Sequence, residues 1–158
     1  KTVAFEVAEQ LAEMRGPAKS GTPWRAPDWY IQAVSGGMGP IGFYKGFIEL
    51  YEMGLVDKIP KLALVQVEGC APMVNSFRKG LDTAEDVDDP QTRVITIATG
   101  KPGMAYSYLR RAMLETGGTF ESVSDEEAFR ALHVMAKMEG FSIEAAAATA
   151  FAGLFKLL

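Results

Sequence analysis

The stretch Trp29-Tyr30-Ile31-Gln32-Ala33-Val34-Ser35-Gly36-Gly37-Met38-Gly39-Pro40 decides the fold. Residues 29–34 form a short, mostly apolar run, the pattern of a strand buried on both faces. A helical pattern follows directly, with Ile41, Tyr44, Phe47, Ile48 and Tyr51 on one stripe and Gly54 as the stop. Strand, glycine-rich turn and helix therefore stand in immediate succession. In a parallel α/β sheet that junction lies at the carboxyl edge, where ligands bind. Glycines at 36, 37 and 39 let backbone N–H groups approach an anion, and the helix adds its positive end. The spacing is neither a Walker A motif nor a Rossmann G-x-G-x-x-G. On residues alone, a phosphate cradle and a merely tight turn both remain open.

The same rhythm continues outward. Strands are predicted over Leu62 to Val67, Val94 to Ala98 and Thr119 to Val123. Helices are predicted over Thr2 to Arg15, Pro72 to Lys79, Met104 to Glu115, from Ser124 to Gly140, and from Ile143 to the end. In the first helix Val3, Val7, Leu11 and Met14 form the apolar stripe, and Gly16-Pro17 opens an irregular loop over 16–27. Ser124 and Glu127 have capping-box spacing. Alternating strands and helices predict an α/β fold, a largely parallel sheet with helices on both faces. There is no convincing internal repeat. The apolar last eighteen residues, interrupted by Glu144 and Lys156, read as a packed helix and not as a membrane span.

Composition narrows the function classes. At 158 residues, 48% apolar and 23% charged, the chain is globular, sized for one domain or part of one. Sixteen basic against twenty acidic side chains give a net charge of -4, which argues against nucleic acid held by bulk charge. A single cysteine, Cys70, cannot close an internal disulfide, and no secretory leader pattern is present, so a reducing, cytoplasmic setting is expected. The absence of an initial Met and the apolar ending at Leu158 suggest a section of a longer chain.

Other chemically capable residues read as structural. The acidic run Asp82, Glu85, Asp86, Asp88 and Asp89 lacks EF-hand spacing and is expected to be a solvated loop, with no metal. His133, the only histidine, sits within a helix and cannot form a zinc motif without partners. Cys70 has no local base to make it a nucleophile. Lys101, in the turn Gly100-Lys101-Pro102-Gly103 after a strand, either reaches a ligand over the same sheet edge or is a plain surface lysine. Glu144 is expected to be buried or half-buried, either near the ligand site or favouring its helix's amino end.

These residues also carry a family likeness. Lys1 to Glu6, Pro27-Asp28-Trp29, Ser35 to Gly39, Lys45-Gly46-Phe47, Pro60-Lys61-Leu62 and Val65 to Pro72 resemble the threonine synthase family in order and spacing. So do Thr96 to Pro102, Glu115 to Gly118, Val123 to Glu127 and Glu139 to Ala145. That family is part of the pyridoxal-phosphate enzymes of the tryptophan-synthase β type, known as fold type II. The resemblance covers the whole chain. It implies that Ser35, Gly36, Gly37, Met38 and Gly39 hold the phosphate of a pyridoxal phosphate cofactor. Many members read Gly-Asn-Gly-Gly-Asn in this loop, so Ser35 and Met38 depart from the pattern, as do Lys101 within Gly-Asn-Pro and the alanines after Glu144.

The resemblance further implies that residues 1–158 are a partial large, cofactor-binding domain. The small domain, the lysine-bearing region and the strand that bonds the pyridine nitrogen would lie outside it, leaving no catalytic residue in this chain. The implied activity of the parent is a lyase reaction of threonine biosynthesis: O-phosphohomoserine and water give threonine and phosphate. Alternatives are a sister enzyme of the same fold, such as a threonine dehydratase or a phosphoserine β-replacement enzyme, or a non-catalytic module that binds a phosphate ligand. The expected partners are a small amino-acid substrate and either a second copy of the chain or the rest of the same chain.

Overall fold

The computed structural model describes residues 1–16 and 21–158, so part of the loop expected over 16–27 lies outside the described residues. Among those described, three strands, β1 (Trp29–Ala33), β2 (Lys61–Val67) and β3 (Thr119–Val123), form a parallel sheet in the order β1-β2-β3. The register pairs Tyr30 with Leu62 and Leu64 with Phe120. Six helices accompany them: α1 (Thr2–Met14), α2 (Met38–Glu52), α3 (Pro72–Arg78), α4 (Met104–Thr116), α5 (Asp125–Met138) and α6 (Ala145–Leu157).

Strand periodicity explains the layering. On β2, Leu62 and Leu64 face one way and pack with Phe43, Phe47, Met73 and Met113 from α2, α3 and α4. Val65 faces the other way and packs, with Val123, against Ala131, Ala148 and Ala152 of α5 and α6. Helices thus cover both faces, as the alternation predicts. Each fully buried Leu or Val contributes roughly 1.5–3 kcal/mol relative to exposure, so the central strand carries the largest hydrophobic share of the sheet. α6 comes close because Gly153 faces β2: a Cβ there would sit 2.3 Å from Val65 Cγ2.

Four expectations are corrected. Val94 to Ala98 is not a strand: Ile95–Ile97 forms a 3-10 turn, with Ile97 N donating to Val94 O and Ala98 N to Ile95 O. The segment lies at the sheet's carboxyl end, burying Val94 and Ile97 against Val67, Cys70 and Ala128, and packing on these residues overrides its strand propensity. β1 is only half-buried, because it occupies an edge, and Trp29 is exposed. The inward face of α1 is Ala4 and Ala8, with Val3 and Met14 exposed. Small residues win there because α1 lies tightly on α2, where a Cβ on Gly46 would be 2.6 Å from Ala4 Cβ. Glu144 is exposed, not buried.

Candidate phosphate-binding site at the carboxyl edge

Helices α2, α3 and α5 each follow a strand at the carboxyl edge, but their first turns are treated differently. A helix start leaves its first amides without intrahelical acceptors. At α5 the capping box answers this: Glu127 N donates to Ser124 Oγ at 3.1 Å and Ser124 N to Glu127 Oε2 at 2.7 Å. At α3 the acceptor comes from inside the sheet. Gln66 Oε1, on β2, accepts from Met73 N at 2.9 Å and Val74 N at 3.2 Å.

At α2 no such acceptor is supplied. The helix is capped by Gly37, which has no side chain, and its backbone is left-handed (φ 92°). The amides of Gly36, Gly37, Met38 and Gly39 donate to no acceptor among the described residues, while the Gly37 carbonyl accepts from Ile41 N at 3.2 Å. Met38 is 75% exposed, so the loop opens outward. From below it is tightly packed. A Cβ on Gly37 would meet Leu109 Cδ1 at 3.0 Å, Ala105 Cβ at 3.1 Å and Met73 Cε at 3.2 Å. A Cβ on Gly39 would lie 2.7 Å from Gln32 Nε2. The glycines therefore let the backbone sit flush on the core with its N–H groups unspent. Free amides at the positive end of a fifteen-residue helix favour an anion.

Thr99, two residues beyond the 3-10 turn, lies against one side of this loop. Ser35 Oγ and Thr99 Oγ1 lie 2.5 Å apart. Three residues earlier, Thr96 Oγ1 donates to Glu144 Oε1 at 2.7 Å, joining the turn to the start of α6. Ser35 and Glu144 thus bond two threonines of one segment, Thr99 and Thr96. Lys101 is different. Its Nζ lies 2.9 Å from Asp88 Oδ1 on the surface, and the hydrogen bond and charge of Asp88 hold its pKa above the usual lysine value.

Within the acidic run, Asp82 pairs with Arg110, Glu85 with Lys79 and Asp88 with Lys101; no group of three or more His, Cys, Asp or Glu placed to hold a metal ion occurs among the described residues. His133 is exposed, with Nδ1 3.3 Å from Phe129 O. Cys70 is buried, and burial pushes its thiol pKa up, which disfavours the nucleophilic thiolate. No helix among the described residues is long and apolar enough to cross a membrane.

Thr99, Thr96 and Gln66 escaped sequence reasoning as functional positions. Gln66 did leave a signal, as the one amide inside the otherwise apolar run Leu62 to Val67. The two threonines are separated by Ile97 and Ala98, and only the 3-10 turn makes their placement legible.

Comparison with known proteins agrees with this architecture. The sequence profile described as "Pyridoxal-phosphate dependent enzyme" matches residues 1–158. Threonine synthases of Methanosarcina acetivorans and Methanocaldococcus jannaschii are each 35% identical over the whole chain, which spans 36% of either protein. The threonine synthase of Mycobacterium tuberculosis is 32% identical, and the chain spans 38% of it. The chain thus covers little more than a third of the relatives it matches. Among solved structures, a threonine deaminase from T.th. superposes with a TM-score of 0.71 at 18% identity, covering 98% of this chain and 49% of that one. Threonine deaminase isoform 2 from Solanum lycopersicum gives 0.70 at 16% identity, covering 99% and 40%.

Proposed function

The chain belongs to the pyridoxal-phosphate dependent enzyme family, and from that premise we propose that it is the phosphate-holding part of a threonine synthase. The single observation that carries the reading is the unspent row of amides from Gly36 to Gly39 at the start of α2. A phosphate needs several donors and little side-chain bulk around them, and this loop offers both, so the residues present fit the group. Ser35 to Gly39 would hold the phosphate. When bound, the cofactor supplies an electron sink for carbanions. The role of this chain is binding and orientation: α2 contributes the positive helix end, and Leu109, Ala105 and Met73 support the loop from beneath.

No residue of the chain is assigned a catalytic role. Lys1 pairs with Glu49 at 2.8 Å and Lys101 with Asp88, and the lysine that carries the cofactor would lie elsewhere in the parent protein. Lys101 and Glu144 are proposed as neighbours of the ligand site, not as its donors. Glu144 fixes the 3-10 turn through Thr96. The curated relatives support threonine synthase over a sister activity.

The test is an assay of the full-length protein with O-phosphohomoserine and, separately, with threonine. Release of phosphate with formation of threonine is expected. Formation of a 2-oxo acid and ammonia from threonine, without phosphate release, would identify a dehydratase instead.

A further inference from the structure

The glycine-rich loop has one side-chain partner from a distant part of the chain. Ser35 and Thr99 are 64 residues apart, yet their hydroxyl oxygens are in hydrogen-bond contact. Thr99 is held there by backbone. Thr99 N donates to Ile97 O at 2.9 Å, and the next residue, Gly100, accepts from Val87 N at 2.9 Å. Gly100 is pressed so closely on that stretch of loop that a Cβ would lie 1.9 Å from Val87 O. The threonine methyl lies over the loop, where a Cβ on Gly36 would be 4.0 Å from Thr99 Cγ2.

Two hydroxyls in contact carry two hydrogens, and the bond between them uses one. Neither hydroxyl has another acceptor among the described residues. One hydrogen is therefore left over, beside four backbone amides that also lack acceptors. A phosphate monoester dianion is an acceptor that would satisfy all of these donors together.

We propose that Thr99 is a positioning residue for the cofactor phosphate: its hydroxyl donates to Ser35 Oγ, so that the Ser35 hydroxyl is turned to donate to the phosphate. This rests on the reading of residues 35–39 as the phosphate loop. Ser35 then supplies a side-chain donor beside the backbone amides, and Thr99 fixes its rotamer. A hydroxyl already accepting one hydrogen bond is also a stronger donor in the next. The hydrogens stay on their own oxygens throughout.

The full-length protein, stripped of cofactor, is titrated with pyridoxal phosphate and with pyridoxal, which lacks the phosphate. Variants are Ser35→Ala, Thr99→Val, Thr99→Ser and the double Ser35→Ala/Thr99→Val; Thr99→Ala replaces Thr99→Val if that variant does not fold. Losing a hydrogen bond to a charged group should weaken pyridoxal phosphate binding about tenfold or more in Ser35→Ala. Thr99→Val should weaken it about three- to tenfold, and Thr99→Ser should restore it to within about twofold. The double variant should be no weaker than Ser35→Ala by more than about twofold, because Thr99 acts through Ser35. Affinity for pyridoxal should not change. Unchanged binding in Thr99→Val, failure of Thr99→Ser to restore it, additive losses, or equal losses with pyridoxal would overturn the inference. Failure of the unaltered protein to bind pyridoxal phosphate would overturn both the inference and the reading beneath it.

Discussion

Two turns at the same edge of the sheet, Ser35 to Gly39 after β1 and Glu68 to Ala71 after β2, serve opposite ends. Both lead from a parallel strand into a helix, and both need glycine because neighbouring atoms press on the backbone. The second turn is closed on itself. Cys70 N bonds Val67 O, Gly69 O accepts from Gln91 N, and Gln66 satisfies the first amides of α3. The first turn keeps its amides open. Closure costs nothing in function at α3 and stabilises the fold; openness at α2 gives up a cap contribution of about 1 kcal/mol in return for an anion site. A glycine pressed by neighbouring atoms occurs in both turns, so close packing alone does not distinguish a binding loop from a structural one. What distinguishes them is where the donors end up.

The sharpest way to break this contrast is Gly69→Ala. Its Cβ would lie 1.8 Å from Gln91 O, so the turn and the loop behind it must shift. A loss of at least about 3 kcal/mol is expected, read by chemical unfolding of the full-length protein. Gln66→Leu comes next. It removes the acceptor for the amides of Met73 and Val74, and about 2 kcal/mol should be lost, with the α3 amides exchanging faster. Met38→Glu should act on the open turn in the reverse sense. A carboxylate at the start of α2 interacts favourably with the helix dipole, by about 0.3–1 kcal/mol, so stability should hold or rise. Pyridoxal phosphate affinity should nevertheless fall about tenfold, because the carboxylate competes for the same amides.

The smallest effect concerns acid. Hydrogen bonds from Lys58 to Asp28, Lys1 to Glu49 and Arg111 to Glu115 hold these carboxyls below their ordinary values of 3.8, 4.5 and 4.5. A carboxyl whose folded pKa is depressed stabilises the fold above its unfolded pKa, and that contribution is lost as pH falls through the folded value. The unfolding midpoint should therefore decline modestly from about pH 5 downward, and high salt should flatten the decline because all three pairs are exposed. Neither turn contains these groups, so the contrast between them should persist across that range.

Much of the molecule is legible in sequence because short-range periodicity decides it. The run Leu62 to Val67 has to be a buried strand, Ser124 and Glu127 have to cap a helix, and three glycines between a strand and a helix mark the loop. The failures come where long-range packing overrides the local pattern. Val94 to Ala98 has strand-forming residues, but they form a 3-10 turn that buries Val94 and Ile97 against Val67, Cys70 and Ala128. Val3 and Met14 look like core until Ala4 and Ala8 are seen to fit against Gly46. The same override produces the site's least legible part. Thr99 reaches Ser35 only because its segment is a turn and not a strand.

Amide hydrogen exchange on the full-length protein, with and without pyridoxal phosphate, tests the central claim most directly, since it reads the donors themselves. The amides of Gly36, Gly37, Met38 and Gly39 should exchange rapidly without the cofactor and become protected with it, whereas those of Met73 and Val74 should be protected in both states. Cofactor bound at full occupancy with the amides of 36–39 still exchanging freely would contradict the assignment of this loop as the phosphate site.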